Sequence, residues 1–240
     1  MEPQTIIDET FDFEPISSIF LRNKTINYIK SDNCIGNQLK DGIYWEQWMF
    51  KYIQENYIPN TNMIDLGGNI GTTTLLMSEV LSDNCKIYTF EPIYNNITLK
   101  NVLDNNLQNS IEVYPYGIGN KEEIMSIKPV DLRSSDNFGG ISIINQQNDE
   151  NRTVDIKIFP LDVFHFENVS LIKIDVEHME ILVLEGAYEL IKKCKPTIII
   201  ETYQLDTLYQ TEIYKNIVEL GYKIEPLHEG YYDFIMKIQV

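Results

Sequence analysis

Met63-Ile64-Asp65-Leu66-Gly67-Gly68-Asn69-Ile70-Gly71 is an apolar run that ends in a carboxylate and a glycine-rich turn. A short apolar run reads as a buried strand, and the residues from Ile70 to Leu81 read as the helix that follows it. Gly67, Gly68 and Gly71 let the backbone take positive φ and let a ligand come close to the chain. The amides that open the helix favour a ligand carboxylate, and Asp65 at the head of the turn suits a ligand amino group, directly or through water. A pyrophosphate-gripping turn needs a second glycine where this chain has Asn69, and Asp65 would repel a diphosphate.

Outward from that turn the chain alternates strand and helix signals, as a parallel sheet with crossover helices requires. Strands are expected at 63–66, 86–91, 111–116, 170–176 and 197–201, with helices at 70–81, 94–105, 179–194 and 211–220. A terminal strand pair is expected at 223–227 and 231–238. Upstream, Tyr44, Trp45, Trp48, Met49, Tyr52 and Ile53 recur at helical spacing until Pro59-Asn60. After the third strand the expected helix is replaced by β-like runs at 124–127, 141–144 and 154–158 and by the polar loop Asp136-Asn137-Phe138-Gly139-Gly140, which is a candidate substrate lid. The expected organisation is an N-terminal extension over 1–41, with a short strand or hairpin near Thr25–Ile29, and one α/β domain over 42–240.

Thirty-six acidic residues against 19 basic ones give a formal charge of −17, and Arg22, Arg133 and Arg152 are scattered. No basic patch tracks phosphates, so nucleic acid and anionic membranes are poor partners. Cys34, Cys85 and Cys194 are too far apart for a disulfide framework or a zinc site, and no signal peptide or membrane span is visible, so a cytoplasmic location is expected.

Glu91 closes the second strand about 20 residues beyond the turn, where an acidic residue can accept hydrogen bonds from both ribose hydroxyls of a nucleoside. Ile93 is placed to pack on a purine. Thr72, Pro92, Tyr116 and Gly117 complete the candidate cofactor contacts, with Asp65, Gly67, Gly68, Asn69, Gly71, Glu91 and Asp175.

Three ordered motifs resemble the FkbM family of methyltransferases: residues 64–71, the triplet Phe90-Glu91-Pro92, and Ile172-Lys173-Ile174-Asp175-Val176-Glu177-His178-Met179-Glu180 followed by Leu184-Glu185-Gly186-Ala187 and Ile200-Glu201. Two positions depart from it: Gly68 replaces the usual alanine, and His178 replaces the usual glycine. The resemblance implies a seven-stranded class I, Rossmann-like α/β sheet with helices on both faces and a small β-rich insertion after the third strand. It also implies S-adenosylmethionine (SAM) as methyl donor and O-methylation of a sugar, a glycan or another small hydroxylated metabolite.

Ligands bind such sheets at the carboxyl ends of the strands, which places Asp175, Glu177 and His178 beside the reacting methyl group. His178 is the expected general base because imidazole titrates near neutral pH, and Asp175 and Glu177 are its expected orienting partners. Lys173 shares a strand face with Asp175 and pairs with it or touches substrate. Asp175, Glu177 and Glu180 offer oxygen donors for a divalent cation, but Glu180 falls inside a helix and no metal is favoured. Tyr44, Glu46 and Trp48 are candidates to close over the cofactor. The alternatives are an NAD-dependent oxidoreductase, which the spacing of Glu91 permits, and a catalytically silent SAM-binding module, which the departure at His178 permits.

Overall fold

The computed structural model describes residues 1–144, 153–228 and 232–238. In chain order these form β1 (Ile16–Leu21), β2 (Lys24–Ile29), α1 (Ile35–Lys40), α2 (Met49–Asn56), β3 (Asn62–Leu66), α3 (Thr72–Met77), β4 (Ile87–Phe90) and α4 (Asn95–Asp104). Next come β5 (Ile111–Tyr114), β6 (Gly117–Ile118), β7 (Glu123–Ile127), β8 (Val154–Phe159), a 3-10 turn (Leu161–Phe164), β9 (Val169–Ile174), α5 (Glu180–Gly186) and α6 (Tyr188–Cys194). The chain closes with β10 (Thr197–Glu201), α7 (Leu205–Leu208), α8 (Glu212–Glu219), β11 (Tyr222–Pro226) and β12 (Asp233–Ile238). Tyr231 and Arg152 lie outside the described residues.

Seven strands make one sheet in the order β11-β12-β10-β9-β3-β4-β5. The neighbours from β10 to β5 are parallel, whereas β12 runs antiparallel between β10 and β11. A dinucleotide-binding sheet has the order 3-2-1-4-5-6 without that wedge. Alternate residues enter opposite layers, as a pleated strand requires. Met63, Leu171 and Ile199 pack with α1 to α4, and Ile64, Ile172 and Ile198 pack with α5, α6 and α8. Helices therefore cover both faces. The β1-β2 hairpin shares the first of these layers, and Asn27 bonds Asn101 and Asp104 of α4. The expected insertion is present as a separate three-stranded sheet, β6-β8-β7.

Several local expectations are corrected. The helix expected from Ile70 stops at Met77, because the Ser78 hydroxyl bonds the Leu75 carbonyl (2.7 Å) and competes with the backbone ladder. The helix expected over 179–194 is two. Gly186 is pressed so close to the Gly119 carbonyl that a Cβ there would lie 1.8 Å from it, and Asp162 accepts the amides of Glu189 and Leu190 at the head of α6. Residues 42–48 are not helical, since Gly42 and Glu46 have left-handed φ of 78° and 50°. Residues 141–144 belong to no strand; the side chains of Ile141 and Ile143 instead face a cleft.

Candidate active site

On the sheet face covered by α3, Thr89, Asp65 and Lys173 stand abreast, because β3 sets Asp65 opposite both. Asp65 is completely buried. One of its oxygens accepts from the Thr74 hydroxyl (2.5 Å), and the other is 3.7 Å from the Lys173 ammonium with no hydrogen bond. Lys173 donates to the Gly67 carbonyl (2.9 Å) and pairs with Asp175 (3.1 Å). Burial opposes the charge on Lys173, but Asp175, Asp65 and Glu46 outweigh it and raise its pKa. Burial pushes the pKa of Asp65 up, against the pull of Lys173 and Thr74. This row fastens the turn to β9.

The turn itself is fixed by close approach. Gly67 has φ of 78°, and a Cβ on it would lie 1.7 Å from the Asp175 carbonyl oxygen. Asn69 is left-handed (φ 48°), its amide donates to Glu91, and its side chain bonds the Ile70 amide and the Phe138 carbonyl. Gly71, at φ 91°, caps α3 and lies against Thr98.

Two cavities open above the carboxyl ends of the strands. The cleft runs past Glu91, Pro92, Ile93, Tyr94, Tyr116 and Gly117 under a roof of Phe138, Ile141 and Ile143. The adjoining chamber is bounded by Trp45, Glu46, Gly68, Thr72, Thr73, Lys173, Glu201 and Tyr203. Gly67, Asn69, Gly139, Asp175 and Glu177 line both, and so form the seam between them. The loop 136–140 roofs cleft and chamber alike. Asp136 accepts the Asn33 amide, and beyond the loop the Ser142 hydroxyl bonds the Glu177 carbonyl.

The sequence-derived residues divide here. Gly67, Asn69, Glu91, Pro92, Ile93, Tyr116, Gly117 and Asp175 line the cleft, and Gly68, Thr72, Lys173 and Glu177 reach the chamber. Asp65 and Gly71 line neither. Asp65 is walled in behind Thr74 and Lys173, so it cannot meet a ligand amino group directly. His178 also lines neither cavity. Its φ is 78°, which is the backbone shape glycine adopts freely, and its ring lies 6.0 Å from that of Tyr203. Glu91 is more committed than expected. One oxygen accepts the amides of Ile93 (2.7 Å) and Tyr94 (2.9 Å) and the other accepts that of Asn69 (2.8 Å). A carboxylate has about four acceptor sites, which leaves Glu91 one for a ribose hydroxyl instead of two. Burial pushes its pKa up to about 7 despite those three amides.

Glu201, which closes the Ile200-Glu201 motif but has no role assigned from sequence, lines the chamber, and Tyr203, Cys34 and Ile35 line it without any sequence signal. Glu46, expected to close over the cofactor, lines the chamber. Trp48 packs against Tyr52 and His228, and the Tyr44 hydroxyl bonds the Thr72 carbonyl (2.8 Å). Burial, then repulsion from Asp175, raises the pKa of Glu46 to about 8 and those of Glu177 and Glu201 to about 7. Among the described residues no group of three His, Cys, Asp or Glu side chains is arranged to hold a metal ion. No helix among them is long and apolar enough to cross a membrane.

Solved structures resemble this architecture. A putative rRNA methylase from Clostridium thermocellum aligns with a TM-score of 0.51 at 9% identity, over 80% of this chain and 94% of its own. A methyltransferase FkbM from Methylobacillus flagellatus KT aligns at 0.47 and 18% identity over 78% of this chain, which spans half the length of that protein. The fold is that of the class I methyltransferases. No protein of curated function shows significant sequence similarity. The family model of the methyltransferase FkbM domain matches residues 65–224, and the chain belongs to that family.

Proposed function

We propose that the protein transfers a methyl group from SAM to a hydroxyl of a small hydroxylated acceptor, a sugar or a glycan among them. The observation that carries this reading is the meeting of an apolar-roofed cleft and a carboxylate-rich chamber at one seam, Gly67, Asn69, Gly139, Asp175 and Glu177. Such a layout suits a donor lying in one cavity and an acceptor in the other. The residues fit the donor. Ile93, Tyr116 and Phe138 offer apolar surface to a purine, Glu91 keeps an acceptor site for the ribose, and the buried Tyr94 hydroxyl has no hydrogen-bond partner among the described residues. The carboxylates suit a cationic sulfonium and oppose the diphosphate of a nicotinamide dinucleotide. When bound, SAM supplies the electrophilic methyl group.

The proton-accepting role falls to Glu177 in place of His178. Glu177 lines both cavities, its side chain makes no hydrogen bond among the described residues, and burial with nearby Asp175 sets its pKa near 7. A base poised near the working pH is the most effective proton acceptor. Glu177 would take the proton of the acceptor hydroxyl when that oxygen receives the methyl group. Lys173 and Asp175 hold the strand end in place.

Calorimetric titration with S-adenosylhomocysteine (SAH) and, separately, NADH tests the donor. Binding of the former alone is expected, and binding of NADH alone overturns the reading. Incubation with SAM and a panel of hydroxylated acceptors, read by mass spectrometry for O-methyl products, tests the acceptor; products methylated only at nitrogen or carbon would displace the oxygen assignment.

A further inference from the structure

Glu46 sits between two anchors. The Tyr44 hydroxyl ties this segment to the start of α3 through the Thr72 carbonyl, and Trp48 is packed against Tyr52 and His228. Between them Glu46 turns left-handed and lines the chamber beside Trp45, across from Gly67, Gly68, Asn69, Thr72 and Thr73. Its carboxylate accepts no hydrogen bond and joins no ion pair among the described residues, and the residue is half-buried. A carboxylate held partly out of water without a partner is costly to keep charged, and part of that cost is recovered when a cation arrives.

Among the described residues no uncommitted cation lines the chamber. Lys173, the one basic side chain among the described residues that line it, is already engaged by the Gly67 carbonyl, Asp175 and Asp65. Of the other carboxylates at the site, Asp175 has Lys173 and Glu201 has the Tyr203 hydroxyl. Glu177 shares Glu46's lack of a side-chain partner among the described residues but stands at the seam, where the reaction is placed. Asp65, the carboxylate nearest in sequence to the turn, is sealed from the chamber.

We infer that Glu46 anchors a primary ammonium group, and that this group is the one on the amino-acid end of the cofactor. The inference rests on the SAM reading above. It transfers to Glu46 the recognition that sequence position alone assigns to Asp65. Glu46 lines the chamber together with the glycine turn, and the seam that includes Asp175 joins that chamber to the cleft. The shared seam gives a nucleoside in the cleft a route for an amino-acid tail into the chamber.

Two probes separate this contact from every other. SAH carries the ammonium; 5′-methylthioadenosine keeps the adenosine and the sulfur but lacks the amino-acid end. Each is titrated calorimetrically into the wild-type protein and into Glu46→Gln, with thermal unfolding to show that the variant is folded. The expected result is a loss of at least about tenfold in SAH affinity, as for a charge-assisted hydrogen bond, with 5′-methylthioadenosine unchanged within about twofold. The SAH affinity of the wild type should also rise with pH as Glu46 ionises in the field of Asp175, Lys173, Glu201 and Asp233, and Glu46→Gln should lose that dependence. Equal losses for both probes, or no loss for either, overturn the inference while leaving the SAM reading intact. Failure of the wild type to bind SAH overturns that reading and the inference with it.

Discussion

The carboxylates of Asp65 and Glu91 are spoken for, whereas those of Glu46 and Glu177 are not. Asp65 lies under Thr74 and beside Lys173, and Glu91 gathers three backbone amides from the turn and from the head of α4. Glu46 and Glu177 face open space with no hydrogen bond to either side chain among the described residues, and both sit on left-handed backbone. Asp65 only builds the site, Glu91 builds it and keeps one acceptor site for a ligand, and the second pair faces what enters it. Strained backbone that holds an unpartnered charge toward a cavity is the mark of a functional position, because only a ligand repays it.

The largest effect that would break this division is on turnover. Glu177→Gln should lower the methyl-transfer rate by about 10²–10⁴-fold with SAH affinity nearly unchanged, measured by single-turnover kinetics beside calorimetry. An undiminished rate would move Glu177 to the structural pair. Lys173→Met tests the other side. It leaves Asp65 and Asp175 without their cation, and a loss of about 3–5 kcal/mol in urea unfolding is expected. A change below 1 kcal/mol, on the order of a surface pair, would show that the row does not hold the turn.

Stability against pH sharpens the comparison further. Glu46, Glu177 and Glu201 have folded-state pKa values of about 8, 7 and 7, above their ordinary value of 4.5. The folded state therefore binds more protons than the unfolded one between those limits. The stabilisation is complete below the unfolded value and is lost as the pH rises through the folded ones. Urea midpoints should fall from about pH 5 to about pH 8 and then level, and Glu46→Gln should flatten the upper part of that fall; a midpoint that climbs across the interval would contradict the raised values. The smallest effect concerns His178. His178→Gly relieves a φ of 78° and should stabilise the protein by up to about 1 kcal/mol without slowing transfer. A lost rate would restore the imidazole to the reaction.

Much of the site was legible because spacing along a strand reports which residues share its end. Residues 63–71, Phe90-Glu91-Pro92 and Lys173–Glu177 lie at the carboxyl ends of β3, β4 and β9, and the parallel register brings them together. The same logic cannot tell a carboxylate in the cavity from one beneath it. Asp65 and Asp175 are both at strand ends, yet one is sealed and the other lines the seam. Glu46 was harder still, since helical spacing from Tyr44 to Ile53 concealed that Gly42 and Glu46 are left-handed and that Trp45 and Glu46 line the chamber with the glycine turn.

The sequence by itself determined the α/β alternation, the turn at 67–71, the insertion after the third strand and the family. Each follows from local periodicity, glycine chemistry or ordered motifs, which are properties of neighbours in the chain. The tertiary structure alone decided the antiparallel wedge of β12 between β10 and β11, the roof formed by Phe138, and the grouping of Glu46, Glu177 and Glu201 in one chamber. Those features depend on segments far apart in the chain meeting over one sheet edge. Whether a buried charge finds a partner there is set by three-dimensional packing and not by sequence distance.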